Sequence, residues 1–151
     1  MSEEQVVMSE EQGVMSEGKR IVDRQIAEER PHRRLVIWQR SVDLVVSVYK
    51  TLKTFPKSEQ YNLISQIQRA VVSIPSNIAE GCARRSSKEK MQFWIIARGS
   101  VSELDTQFEI CRRLGYLDEK KFEELNGDLA EVSRMLSGLI RSRKRGIKNG
   151  E

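Results

Sequence analysis

Apolar residues recur along the chain at steps of three and four, the spacing of one face of an α-helix. Trp38, Val42, Val45, Tyr49 and Leu52 mark a first helix. It ends at Phe55-Pro56, because proline cannot continue the backbone ladder. Ile64, Ile67, Val71, Ile74 and Ile78 mark a second, closing near Gly81. Ser86-Ser87-Lys88-Glu89 has the form of a capping box, in which Ser86 bonds the amide of Glu89. The third helix follows with Met91, Trp94, Ala97, Val101, Leu104, Phe108 and Cys111, and Gly115 supplies a left-handed stop. Asp118 caps a fourth, carrying Phe122, Leu125, Leu129, Val132, Leu136 and Leu139. Four stripes of one period on short connections predict an all-α fold, an antiparallel up-down-up-down four-helix bundle.

One stretch strains this reading. Ser73-Ile74-Pro75-Ser76-Asn77-Ile78-Ala79-Glu80-Gly81 puts a proline inside the second helix. The β-branched run Ala70–Ile74 has no partner strand, and the apolar stripe crosses Pro75 without a change of phase. A continuous, bent helix is therefore expected, at a cost of about 3 kcal/mol that packing offsets. Ser73, Ser76 and Asn77 are expected to take the freed carbonyl of Val71.

With 151 residues and 38% hydrophobic content, the chain can bury the core of one domain. No apolar run approaches the length of a membrane span, and the acidic N-terminus does not read as a secretory signal. Cys82 and Cys111 form no CxxC pair, and with His32 the single histidine a zinc site is not expected. Two reduced, helix-borne cysteines fit a cytoplasmic protein. Met-Ser-Glu repeats every seven residues at the start but lacks the apolar positions of a coiled coil. The expected division is a mobile acidic tail over 1–30, a bundle over 31–143 and a fraying basic extension over 144–151. The tail carries a net charge of −4 and the remainder +8, so the folded part is suited to a polyanion.

The runs Tyr61–Ser86 and Phe93–Leu117 contain Gln66-Ile67, Arg69-Ala70, Val72 to Gly81, Gly99-Ser100, Glu103-Leu104, Thr106-Gln107 and Leu114-Gly115-Tyr116. With Trp38-Gln39, Val48-Tyr49 and Phe55-Pro56, these closely resemble the bacterial four-helix-bundle proteins encoded within intervening sequences of 23S ribosomal RNA genes. Coverage runs from about Leu35 to Arg141. Gln68 is a departure, standing where the family usually has a basic residue. The resemblance implies assembly as a homopentameric ring. It also implies kinship with the accessory variability proteins of diversity-generating retroelements, which bind a reverse transcriptase and RNA through a basic surface.

Up-down-up-down topology brings the start of the first helix, the turn between second and third, and the end of the fourth to one end. His32, Arg33, Arg34, Arg84, Arg85, Lys88, Lys90, Arg141, Arg143, Lys144 and Arg145 converge there, a candidate RNA or DNA surface. Gln66, Arg69, Ser73, Pro75, Asn77 and Glu80 on the second helix, with Arg98, Ser100, Glu103 and Gln107 on the third, are candidates for a polar interface between subunits. Arg69 or Arg98 is expected to pair with Glu80 or Glu103. Ser87-Lys88-Glu89-Lys90 formally matches S-x-x-K, but the cap accounts for its serines. No catalytic, cofactor or metal residues are assigned. A non-enzymatic nucleic-acid-binding or reverse-transcriptase accessory protein is expected; the alternative is a protein–protein scaffold ring.

Overall fold

A computed structural model describes residues 16–150 apart from Ala27; most of the Met-Ser-Glu repeat therefore lies outside the described residues. Residues 16–26 are helical and almost wholly exposed, where a mobile tail is expected from sequence. Four long helices follow: α1 Val36–Leu52, α2 Leu63–Ala83, α3 Ser87–Arg113 and α4 Glu119–Lys148. Short 3-10 turns, Pro31–Arg34 and Lys57–Glu59, precede α1 and α2. Among the described residues there is no strand, and no helix is long and apolar enough to cross a membrane.

Each long helix packs on two others, α1 on α2 and α4, and α3 on α2 and α4. The core between them takes Ile67, Val71, Ile74 and Ile78 from α2 and Trp94, Ala97, Leu104, Phe108 and Cys111 from α3. From α4 come Leu125, Leu129, Val132, Leu136 and Ile140. These stripes agree with the pattern read from sequence, except that in α4 Ile140 is buried where Leu139 is expected, Leu139 and Phe122 packing at the margin of the core.

In α1 the buried face is displaced by one residue. Ile37, Ser41, Leu44, Val48 and Leu52 are buried, whereas Tyr49 is 40% exposed and Trp38, Val42 and Val45 flank the core. Ser41 makes this possible, because its hydroxyl donates to the Trp38 carbonyl at 2.8 Å and so enters the core satisfied. Trp38 is covered from the side by His32, 5.1 Å away between ring centroids, and by the Arg33 guanidinium.

Helix α2 runs unbroken through Pro75. Contrary to the expectation from sequence, the polar residues near it do not bond the Val71 carbonyl. Ser76 donates to Val72 O and Asn77 to Ser73 O, each at 2.8 Å. The reason is helical geometry: a side chain reaches the carbonyl four residues back, and the residue so placed for Val71 is the proline itself. At the far end α4 continues to Lys148, so residues 144–148 belong to the helix rather than to a fraying extension. Arg145 and Lys148 in its last turn favour that continuation, since cations stabilise the carbonyl-rich end of a helix.

Candidate nucleic-acid interface

The turn between α2 and α3 is built on a close contact. Trp94 is buried, and its indole N–H donates to the Ile78 carbonyl at 3.3 Å. The ring lies so near α2 that a Cβ on Gly81 would fall 2.7 Å from Trp94 Cδ1, with the Lys90 carbonyl at 3.0 Å. Only glycine leaves room there. Ser86 then starts α3 with the expected capping box: its hydroxyl accepts from the Glu89 amide and the Glu89 carboxylate accepts from the Ser86 amide. The Ser86 hydroxyl also donates to the Glu89 carboxylate at 2.8 Å, and this bond, followed by the one from the Ser86 amide, holds the Glu89 carboxyl below its ordinary value.

Around this turn the cations divide into two groups. Lys90 Nζ donates to the Cys82 carbonyl at 3.2 Å and so completes the end of α2. Arg84 is held by Glu80 and lies over the Phe93 ring, 4.7 Å from its centroid. Arg33 stacks on Trp38 at 5.4 Å. By contrast Arg34, Arg85, Lys88, Arg141, Arg143, Lys144 and Arg145 have no carboxylate within 4.0 Å among the described residues, and all but Arg143 are exposed.

Two observations relate the three segments. The 3-10 turn at Pro31–Arg34 contacts α2. Arg143, late in α4, lies close enough to Cys82 for its charge to be felt at the thiol, which burial nevertheless pushes up. His32 at this end is held below its usual value, first by burial and then by Arg33 and Arg30. Pro31–Arg34 and Arg143 thus both lie by α2. The sequence does not reveal that Arg84, Lys90 and Arg33 are already engaged within the chain.

At the opposite end several cations are paired, whereas Lys53, Lys57 and Lys120 have no carboxylate within 4.0 Å among the described residues. Arg112 meets Glu109 at 3.0 Å and Glu119 at 3.5 Å, Arg113 meets Glu109 at 2.9 Å, and Lys121 meets Glu124 at 3.0 Å. Arg113 and Arg112 hold the Glu109 carboxyl low. Tyr116 donates to Glu59 at 3.1 Å, tying the α1–α2 connection to the α3–α4 turn. Cys111 is buried beneath, its thiol pushed up to about 11 chiefly by burial.

Along the α2–α3 seam, Ser100 donates to Ser73 at 2.8 Å and Asn77 Nδ2 to Ser73 Oγ at 2.9 Å. Gln66, Arg69, Glu80, Arg98 and Glu103 are exposed along it; Ser100 and Gln107 are buried, and so is Pro75, which faces the core. The pairing of Arg69 or Arg98 with Glu80 or Glu103 does not occur within the chain. Glu80 takes Arg84 and Glu103 accepts from Gln107, while Arg69 and Arg98 have no carboxylate within 4.0 Å among the described residues. Gln107 Oε1 is buried without a donor among the described residues.

The sequence reading passes over apolar residues of the same α3 face: Ile96, Ile110 and Leu114 are 52%, 42% and 54% exposed. With Ser100, Glu103 and Gln107 between them they lie on one three-four row of α3 and its C-cap, apolar at its two ends and polar in the middle.

The model of a family described as 23S rRNA-intervening sequence protein matches residues 33–138. A crystal structure from Bacteroides thetaiotaomicron, described as a protein with unknown function from the S23 ribosomal protein family, is similar. It has a TM-score of 0.63 and 25% sequence identity, covering 70% of this chain and 98% of its own. No curated protein matches the chain.

Proposed function

The chain belongs to the 23S rRNA-intervening sequence protein family, and from that premise we propose that it is a non-enzymatic RNA-binding protein whose contact surface is the basic end. The unpaired cations carry the reading. Arg34, Arg85, Lys88, Arg141, Lys144 and Arg145 are exposed with no carboxylate within 4.0 Å among the described residues, although Arg112, Arg113 and Lys121 are paired elsewhere. The nearby aromatic faces of Trp38 and Phe93 are taken by Arg33 and Arg84, which leaves phosphate contact rather than base stacking as the mode of binding. Binding is then sequence-tolerant and weakens steeply with salt.

The same proposal takes the fold as an antiparallel up-down-up-down four-helix bundle that self-associates through the α2–α3 seam into a homopentameric ring. In such a ring the basic ends repeat around one rim and their fields add. Titration of a structured RNA at two salt concentrations tests the binding. Tight association at low salt, lost as salt rises with a slope of about 0.9 per phosphate contacted, is the expected result. Absence of binding even at low salt overturns it.

The exposed apolar ends of the α3 row favour a second reading, a scaffold ring that binds protein, with a reverse transcriptase as one candidate partner. That reading expects a partner that stays bound through nuclease treatment and high salt. The seam itself is tested by Ile110→Glu with Leu114→Glu. A fall in mass by light scattering is expected, and unchanged mass removes the seam from the assembly.

A further inference from the structure

We propose that α3 of one copy docks in the groove between α1 and α2 of a second copy, whose Arg69 guanidinium donates to Glu103 and Gln107. The inference rests on the self-association reading above, for which it names the opposing surface, and it is independent of RNA binding. The α3 side of the joint is the row Ile96, Ser100, Glu103, Gln107, Ile110 and Leu114, exposed and apolar at both ends. Its centre offers acceptors and no cation. The exposed Glu103 carboxylate accepts from the Gln107 amide at 3.4 Å, and Gln107 Oε1 is buried with no donor among the described residues. A buried acceptor in that state is destabilising unless something outside the chain supplies the donor.

The row also restricts what can cover it. Packed about a twofold axis on the same row of another copy, it would set two Glu103 carboxylates face to face, with two orphaned acceptors and no donor between them. The occupant has to bring a cation to the centre and apolar surface to either side. The α1–α2 groove has that composition. Two adjoining hollows of about 540 and 350 Å³ share Tyr49 and Gln68 as walls, and none of the residues lining them is acidic. Arg69, Lys53 and Lys57 line them and have no carboxylate within 4.0 Å among the described residues. Tyr49 and Val72, both exposed, supply apolar surface in the same hollow as Arg69. The lengths agree as well. The groove follows α2 from Ile64 to Asn77, about 20 Å at about 1.5 Å per residue, and runs on past the start of that helix to Lys57. Ile96 to Leu114 spans about 27 Å on the same measure. Each copy carries both halves of the joint on different faces, so the contact is head-to-tail.

Mixing two variants of the full chain tests the joint. Ile110→Glu with Leu114→Glu damages the row and leaves the groove; Tyr49→Glu with Val72→Glu damages the groove and leaves the row. All four positions are exposed, and circular dichroism checks that the helices are kept. By light scattering each variant alone is expected at the mass of one chain. An equal mixture is expected at the mass of two, because one sound joint forms and neither remaining face can extend it. A wild-type mass of one chain, or a row variant that keeps the wild-type mass, overturns the seam reading together with this one. A groove variant that keeps the wild-type mass while the row variant dissociates overturns the groove and leaves the seam in place. Two monomeric variants that do not pair on mixing overturn the head-to-tail contact. Should a glutamate pair unfold the chain, Arg69→Glu and Glu103→Arg, both at exposed positions, replace them. Each alone is expected to lose mass and an equal mixture to regain it; masses unchanged from the wild type overturn the Arg69 contact.

Discussion

The two ends of the helical body use the same residue types to opposite effect. At one, Arg112, Arg113 and Lys121 lie against Glu109, Glu119 and Glu124, and Tyr116 is bonded to Glu59. At the other, seven arginines and lysines of the predicted surface have no carboxylate within 4.0 Å among the described residues, and the nearby α2–α3 turn is held by a glycine–tryptophan contact and a capping box. Exposed ion pairs add little stability, so pairing at the first end mostly neutralises the cations it engages. Leaving cations unpaired at the second maintains a positive field at little structural cost, because that turn is secured by packing and backbone bonding.

The comparison is broken most directly by binding. Replacing Arg85, Lys144 and Arg145 together by alanine is expected to weaken RNA binding on the order of 100-fold at low salt and to reduce the salt slope by about one per residue. The double change Arg112→Ala, Arg113→Ala at the opposite end is expected to leave affinity within about twofold. Equal losses at both ends, measured by fluorescence anisotropy, would remove the distinction.

Next in size are the turns. Gly81→Ala pushes a methyl group into Trp94 and is expected to cost about 2 kcal/mol in urea unfolding. Gly115, at the other turn, has φ of +78° and open space around it, so Gly115→Ala is expected to cost about 1 kcal/mol, from backbone strain alone. Tyr116→Phe removes the bond to Glu59 and is expected to lower stability by at most about 1 kcal/mol.

The smallest effect is in pH. Glu109 is held low by Arg113 and Arg112, and Glu89 by Ser86. A carboxyl lowered in the folded state contributes stability above its ordinary range and loses it as pH falls through the lowered value. Both ends are therefore expected to weaken on acidification, but for different reasons. High salt is expected to shrink the component removed by Glu109→Gln and to spare the one removed by Glu89→Gln, as thermal melts across acidic pH can read.

The sequence reveals most of the fold because one period runs through α2, α3 and α4 and because both caps and the Gly115 stop use local chemistry. In α1 it misleads by one residue, since a serine in the core looks polar until its hydroxyl is seen bonded to Trp38. The carbonyl bonds near Pro75 are misassigned because the count of four back along the helix points elsewhere. That Pro31–Arg34 and Arg143 lie by α2 follows from topology and is legible. Which of the cations are free is not, because that depends on side-chain partners such as Glu80 and Cys82 O that no periodicity encodes. The exposed Ile96, Ile110 and Leu114 are written on one three-four row of α3 and its C-cap, but only burial distinguishes it from the core stripe beside it.

The Trp94–Gly81 contact also has an optical consequence. The chain has two tryptophans, and both lie at the basic end, Trp94 against Gly81 and Trp38 beside His32 and Arg33. The opposite end has Tyr61 and Tyr116 but no indole. Emission excited at the red edge of protein absorption thus comes from one pole of the molecule, with no label attached. A ligand arriving there shifts the colour or yield of that light, and one arriving at the far pole leaves it unchanged.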